Sequence, residues 1–388
     1  MIGGPFSPWP AFDTEEAEAV SRVLLSNRVN YWTGQEGREF EREFAGFADT
    51  GYAIAVANGT LALDLALYGL SIGPGDEVIV TPRSFVASAS AIANAGATPV
   101  FADIDPDSQN ITPETVEPML TDRTRAILCV HLAGWPCDMA GFRDLVAGRD
   151  IRLIEDCAQA HGARIDGRPV GGLGDVAAWS FCQDKIMTTG GEGGMVTCDD
   201  PAIWKRMWAF KDHGKDWDEV QRHDHPPGFR WLHRSLGTNF RLTEMQSAIG
   251  RLQLGRMGDW HAARVRNAEA IMAAARDLRA FRVPEIPNRI EHGFYKLYLF
   301  LSEEAQSRGI DRDALIADIN RAGVPVMQGI CPEIYREAAF PEHPRLPVAK
   351  QLGETSLMFL VHPTLTKAEI AKTCEVLAEV SRRRLAPE

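Results

Sequence analysis

Between residues 53 and 199, short β-branched or apolar runs alternate with longer amphipathic stretches, and no other feature constrains the fold of this chain as much. Runs that are apolar on successive residues must be buried on both faces. A mostly parallel sheet lying between layers of helix does that. The runs fall at 53–57, 77–81, 98–102, 126–131, 152–155, 177–181 and 194–197, and residues 60–70 between the first two carry a helical pattern. The expected class is α/β, with seven strands in the sheet.

With 388 residues the chain exceeds the size at which one core stops growing. A large domain over 1–255 and a smaller α/β C-terminal domain over 256–388 are expected. Asp13 followed by Glu16 gives a capping box, so 13–26 reads as a helix, expected to pack on the smaller domain. Residues 217–236, rich in His, Pro, Trp and charge, read as an irregular loop of the kind that covers substrate. A long helical stretch follows over 242–278, with a break expected near Gly255 or Gly258. A strand at 296–302, a helix at 311–322 and a closing helix at 366–384 complete the reading.

Hydrophobic residues make up 45% and charged residues 24%, the mixture of a globular protein. A net charge of -12 argues against a nucleic-acid binder, which needs a broad basic surface. It leaves room for an anionic small ligand, because local N–H donors govern a small pocket. No apolar run reaches the ~18 residues of a membrane helix. Residues 1–10 lack the basic and apolar regions of a signal peptide, so the expected location is cytoplasmic. Seven scattered cysteines without a CxxC pair support neither a disulfide framework nor a zinc site.

Three constellations carry chemistry. In Ala57-Asn58-Gly59-Thr60 an expected strand turns tightly into a helix, whose free N–H groups form a phosphate cradle. An Asn-Gly turn without a ligand has the same residues. In Ile154-Glu155-Asp156 an apolar strand ends in a carboxylate at the sheet edge where α/β proteins gather ligands. Asp156 can hold a pyridine nitrogen protonated, or simply cap the next turn. The third is Lys185, one of eight lysines, at the end of a buried-looking strand beside Gly190, Gly191, Gly193 and Gly194. Lysine alone forms a Schiff base with an aldehyde cofactor, although a solvated loop lysine is the commoner fate. All three lie at strand ends on one edge of one sheet.

These residues, with Gly73-Pro74-Gly75-Asp76-Glu77, Ala97-Thr98-Pro99-Val100-Phe101-Ala102-Asp103, Glu155-Asp156-Cys157-Ala158-Gln159-Ala160-His161-Gly162 and Thr188-Thr189-Gly190-Gly191-Glu192-Gly193-Gly194, resemble the DegT-type nucleotide-sugar aminotransferases, from about residue 10 to 362. The resemblance implies the type I fold of pyridoxal-phosphate enzymes. It implies that Lys185 forms the Schiff base with pyridoxal 5'-phosphate, that Asp156 pairs with the pyridine nitrogen and that Gln159 contacts the phenolic oxygen. Gly59, Thr60 and Ser180 would hold the phosphate, Phe85 would stack on the ring, and Asn239 would reach the phosphate from the partner subunit of a homodimer. Tyr31, Trp32, Arg241 and Tyr335 are substrate contacts by family position, with structural roles equally open.

Cys182-Gln183-Asp184 departs from the His-Pro-Thr run of many relatives, which bears on substrate subclass and not on the cofactor. The implied reaction moves an amino group from L-glutamate, or glutamine, to a nucleotide-linked keto-sugar. The expected acceptor is a UDP-linked 4-keto-6-deoxy-N-acetylhexosamine destined for a surface glycan, with GDP- or dTDP-linked sugars as alternatives. A dehydratase or lyase on the same fold is the rival enzyme class. Lys185 weighs against it, since family dehydratases carry His there. A non-catalytic regulator is a third reading, and no segment remains for DNA binding. Gly172-Leu173-Gly174-Asp175-Val176-Ala177 precedes a strand instead of following one, so it is no dinucleotide fingerprint. His223-Asp224-His225 lacks a second ligand pair, and no metal is assigned.

Overall fold

All seven expected strands form. They are β1 (Tyr52–Val56), β2 (Glu77–Val80), β3 (Thr98–Phe101), β4 (Thr124–Val130), β5 (Arg152–Asp156), β6 (Val176–Ser180) and β7 (Gly194–Cys198). In the computed structural model, which describes residues 6–385, they make one sheet in the order β1-β7-β6-β5-β4-β2-β3. The first half of the opening ten-residue segment, 1–5, lies outside the described residues. Neighbouring strands are parallel except at β7, which runs against both β1 and β6.

Alternation along each strand feeds two cores. Val78 and Val80 of β2 point to one face, where they meet α3 (Gly59–Gly69), α4 (Ala87–Asn94) and, through Met207 and Trp208, a later helix at Pro201–Lys211. Ile79, between them, points to the other face, toward α2 (Glu36–Ala48) with Phe40 and Phe44, and Phe142 of α5 (Met139–Leu145). Phe40, Phe44 and Phe142 are fully buried, each contributing about 1.5–3 kcal/mol of apolar burial. With the helix at Pro201–Lys211 as α6, the sheet is covered on both sides, so ligands reach it only at strand ends.

Helix α1 (Thr14–Leu25) starts at the expected capping box, Asp13 with Glu16. It was expected on the smaller domain; it packs instead on the first half of α7 (Glu244–Arg276), before residue 255 for most of its length. Its buried stripe explains the choice. Ala19 and Val23 offer little apolar surface and meet Ala248, while buried Glu16 needs a donor and finds Gln253 Nε2 at 2.7 Å. Arg256 adds an ion pair to Asp13 at 2.9 Å.

The break expected near Gly255 or Gly258 does not occur, and α7 runs unbroken for 33 residues. A glycine costs a helix only about 1 kcal/mol. Here the helix is anchored along its length, by Ala248 under α1, by Met257 in the core of the large sheet, and by Ala268, Ile271, Met272 and Ala275 in a third core.

That third core surrounds an antiparallel sheet in the order β8-β9-β11-β10, built from β8 (Phe281–Arg282), β9 (Leu297–Leu301), β10 (Val326–Met327) and β11 (Ser356–Phe359). Helix α8 (Arg312–Arg321) and the closing α9 (Lys367–Arg384) stand where expected. The segment 217–236 is not wholly irregular. Asp216 caps one short helix, Trp217–Gln221, after which the chain carries exposed Phe229, Trp231 and Leu236. No helix among the described residues is long and apolar enough to cross a membrane.

Candidate active site

The carboxyl ends of β5 and β6, the start of α3 and the edge of the small sheet enclose a cavity of about 720 Å³. At the start of α3 the Asn58 side chain accepts the Leu61 N–H at 2.9 Å, leaving earlier N–H groups of the first turn open. Two glycines let strand and helix meet there. A Cβ on Gly59 would lie 2.5 Å from Ser180 Cβ, and one on Gly194 would lie 2.5 Å from Asn58 O. Gly59, Thr60 and Ser180 thus form one polar cradle, with the helix dipole directed into it.

Asp156 ends β5 and is 6% exposed. Ser88 Oγ donates to its Oδ2 at 2.8 Å and the Ala158 N–H to its Oδ1 at 3.1 Å. A carboxylate has lone pairs for more donors than these, so one can be accepted from the cavity. Glu155 points to the other side of the strand. Its oxygens take the N–H groups of Gly171, Leu173 and Gly174 at 2.7–3.0 Å and the His131 ring at 2.9 Å. The Cys137 N–H donates to His131 Nδ1, so the ring proton sits on Nε2, facing Glu155. His131, Glu155 and Cys157 lie close enough to suggest a metal site, but these bonds take up the lone pairs of the first two. What they do is fix the end of β5, and with it Asp156.

Gln159 Oε1 accepts the Ala133 N–H at 2.9 Å, which leaves its NH2 as the free donor. Lys185 follows β6 in a turn held by Trp9, whose Nε1 donates to the Lys185 carbonyl at 2.8 Å. Its amine lies 5.0 Å from the ring centre of Tyr295, whose hydroxyl donates to Asp184. Phe85, 60% exposed, stands at the cavity wall and stacks on no other ring among the described residues. Lys185, Asp156, Gln159, Phe85 and the phosphate cradle, separate in sequence, therefore share one cavity.

The remaining expected residues do not line it. Asn239 bridges to Asp212, and its side chain accepts the Arg241 N–H at 3.3 Å. Arg241 pairs with Asp212 at 2.9 Å. The Tyr31 hydroxyl donates to Glu41 at 3.0 Å beneath the buried amine of Lys211, and Trp32 packs edge-on against Tyr31 and Trp208 with Lys215 at 4.0 Å over its ring. These four form a separate polar cluster. Tyr335 is elsewhere again: its hydroxyl donates to Glu333 at 2.6 Å and accepts the Leu346 N–H at 2.9 Å, with its ring against Phe101. A groove of about 780 Å³ between α1, α2 and α7 offers no comparable chemistry, since its Arg251 is paired to Glu36 and Glu43.

Sequence reasoning missed Ser88, Tyr295 and Lys296, all at the cavity. Ser88 sits in an Ala/Ser run without distinguishing signal. Lys296 did carry one: like Lys185 it is a lysine at the end of an apolar strand, here just before β9. Burial pushes its amine down to about 8, with Asp184 holding it up and Arg264 and Lys185 lowering it further.

Comparison with known proteins follows the same lines. Residues 10–378 match the family model described as the DegT/DnrJ/EryC1/StrS aminotransferase family. The chain is 33% identical over 375 residues to the dTDP-3-amino-3,4,6-trideoxy-alpha-D-glucose transaminase of Streptomyces venezuelae, covering 95% of this chain and 93% of that one. It is 35% identical over 370 residues to the UDP-N-acetyl-3-dehydro-alpha-D-glucosamine 3-aminotransferase of Acidithiobacillus ferrooxidans, covering 94% and 92%. An aminotransferase structure from Psychrobacter cryohalolentis superposes with a TM-score of 0.95 at 56% identity, covering 97% and 98%.

Proposed function

The chain belongs to the DegT/DnrJ/EryC1/StrS aminotransferase family, and from that premise we propose that it moves an amino group from L-glutamate to a keto-sugar carried on a nucleotide, using pyridoxal 5'-phosphate bound at Lys185. The fold is the α/β type I fold of pyridoxal-phosphate aminotransferases. The amine of Lys185, the buried carboxylate of Asp156 and the open start of α3 face one cavity, and that convergence carries the proposal.

The residues present fit the cofactor. The cradle between Gly59 and Ser180 is a space that a single Cβ would fill, and its donors are those a phosphate needs. Asp156 keeps capacity for one more proton donor, a pyridinium N–H, and Gln159 keeps an NH2 for a phenolic oxygen. When bound, pyridoxal phosphate supplies an electron sink for the carbon that loses its proton.

The side chains divide the work. Asp156 holds the ring nitrogen positive, so it stabilises negative charge developing at the donor carbon. Lys185, its amine released when the donor's amine replaces it, would take the proton from that carbon as base and give it back as acid to the position that becomes the new C–H. Phe85, at the cavity wall, would cover one face of the ring and keep water from it. Asn239, outside the cavity of its own chain, reaches the phosphate of a second copy, which makes a homodimer the working unit.

The acceptor we favour is a UDP-linked 4-keto-6-deoxy-N-acetylhexosamine. Relatives named for UDP- and dTDP-linked sugars support a nucleotide-linked acceptor. Visible absorbance of the purified protein tests the whole reading. A yellow band that bleaches with L-glutamate and returns with one member of a panel of nucleotide keto-sugars supports it and identifies the acceptor. Absence of the band with cofactor added, or an unchanged band in Lys185→Ala, sinks it.

A further inference from the structure

Any L-α-amino acid that gives its amino group at Lys185 brings a carboxylate with it. The cavity is poorly disposed to accept one, since Asp156, Asp184 and Glu192 already line it. Burying another anion among them without a cation is costly. Among the described residues lining the cavity the cations are Lys185 and Lys296, and Lys185, freed by the incoming donor, must be neutral to take its proton. That leaves Lys296.

Its geometry suits the task. Lys296 precedes β9, so its backbone is held by the small sheet, and its amine lies 4.8 Å from the ring centre of Tyr295. The Lys185 amine lies 5.0 Å from the same ring, so both amines pack against one phenol. Tyr295 is itself fixed by its bond to Asp184. Lys296 Nζ has no hydrogen-bond or ion-pair partner among the described residues, nor is it among the buried orphaned atoms, so it opens into free space. Together with Asp184 it also borders a recess of about 180 Å³ that includes Trp9 and His362.

We propose that Lys296 binds a carboxylate of the amino donor. The proposal rests on the aminotransferase reading above. The donor's amino nitrogen would take the place of the Lys185 amine, so its α-carbon and α-carboxylate would lie on the side of the cavity that holds Tyr295 and Lys296. A nucleotide diphosphate lies beyond a hexose ring from the reacting carbon and so falls farther out. The groups facing the Lys296 amine are Asp184, Lys185, Tyr295, Arg264 and His362. With its pKa held to about 8 the amine is charged at neutral pH and loses the charge just above it.

The test uses the cofactor-loaded protein and glutarate, a dicarboxylate that cannot transaminate, with binding read by calorimetry. Lys296→Met is expected to weaken glutarate binding about ten- to a hundredfold, the worth of a hydrogen bond to a charged group. It should raise the L-glutamate concentration that half-bleaches the visible band by a similar factor. The sugar-driven return of the band should not change, and Lys296→Arg should restore most of the affinity. Wild-type affinity for glutarate should fall as pH passes 8, while Lys296→Arg stays flat. Thermal melting identifies misfolded protein, and Lys296→Gln replaces Lys296→Met should that variant not fold. If a folded Lys296→Met or Lys296→Gln binds glutarate and bleaches with glutamate as wild type does, or loses only the sugar half, the proposal is overturned while the aminotransferase reading stands. If wild type accepts nitrogen from no amino acid, both fall.

Discussion

Ser88 Oγ donates to Asp156 Oδ2 at 2.8 Å, joining the first turn of α4 to the last residue of β5 across the floor of the cavity. This bond and the one from the Ala158 N–H set the carboxylate plane. Asp156→Asn keeps the shape and removes the charge that holds a pyridine nitrogen protonated. Amino transfer should drop about a hundred- to a thousandfold, the usual loss for one preorganised electrostatic partner. Ser88→Ala frees one oxygen to turn and should cost about tenfold. Single-turnover bleaching with L-glutamate measures both, and equal losses would mean that charge is not what Asp156 contributes.

Gly59 stands where a Cβ would lie 2.5 Å from Ser180 Cβ, a short stiff group that cannot swing aside. Gly59→Ala must push α3 away from β6. The expected cost is about 1–3 kcal/mol of stability, together with a much weaker hold on the cofactor phosphate. Urea unfolding and cofactor titration read the two effects, and an unchanged cofactor affinity would remove Gly59 from the cradle.

Asn239 and Lys185 belong, on this reading, to different chains of each working site. Lys185→Ala and Asn239→Ala should each be nearly inactive alone. Unfolded together and refolded as mixed dimers, they should recover about a quarter of wild-type activity, because half the dimers then carry one intact site. No recovery on mixing would assign Asn239 to its own chain's cavity or to neither.

His161, His292 and His362 are held neutral, each pushed down to about 3, chiefly by burial. Unfolded, each binds a proton near the ordinary value of 6.5. Between those values the unfolded state carries more protons, so stability falls as pH drops from about 6.5 toward 3. At about pH 5 each histidine should cost about 2 kcal/mol relative to neutral pH. Urea unfolding at about pH 7 and about pH 5 checks this, and His161→Asn should flatten the difference by its own share.

The parallel sheet was legible because its strands are apolar on consecutive residues, a pattern that only double-sided burial explains. Asp156 stood out because it follows such a run directly, and Lys185 because it comes shortly after one, beside a cluster of glycines. Ser88 did not: it lies 68 residues from the carboxylate it serves, in a helix of alanines and serines with no distinguishing period. The continuity of α7 was missed because glycine propensity is a local term of about 1 kcal/mol, whereas burial at both ends of that helix is a tertiary one. Likewise the α1 stripe announces a helix without naming its partner, and the need of Glu16 for a donor decided that. Tyr335 lies outside the cavity because Glu333 and the Leu346 N–H occupy its hydroxyl, a contact closed by folding and invisible in the sequence.

Helix α7 reaches from Ala248, under α1, to Ala275, inside the small-sheet core, a span of about 40 Å at the ordinary rise per residue. It works as a beam and not as a joint. Gly255 and Gly258 leave it slender at mid-span, with nothing packed within 4 Å of where their Cβ atoms would be, yet they do not bend it. Tilting one sheet against the other would flex this beam and strain both anchors. The walls that carry Lys185 and Lys296 are thus tied to each other through one unbroken helix.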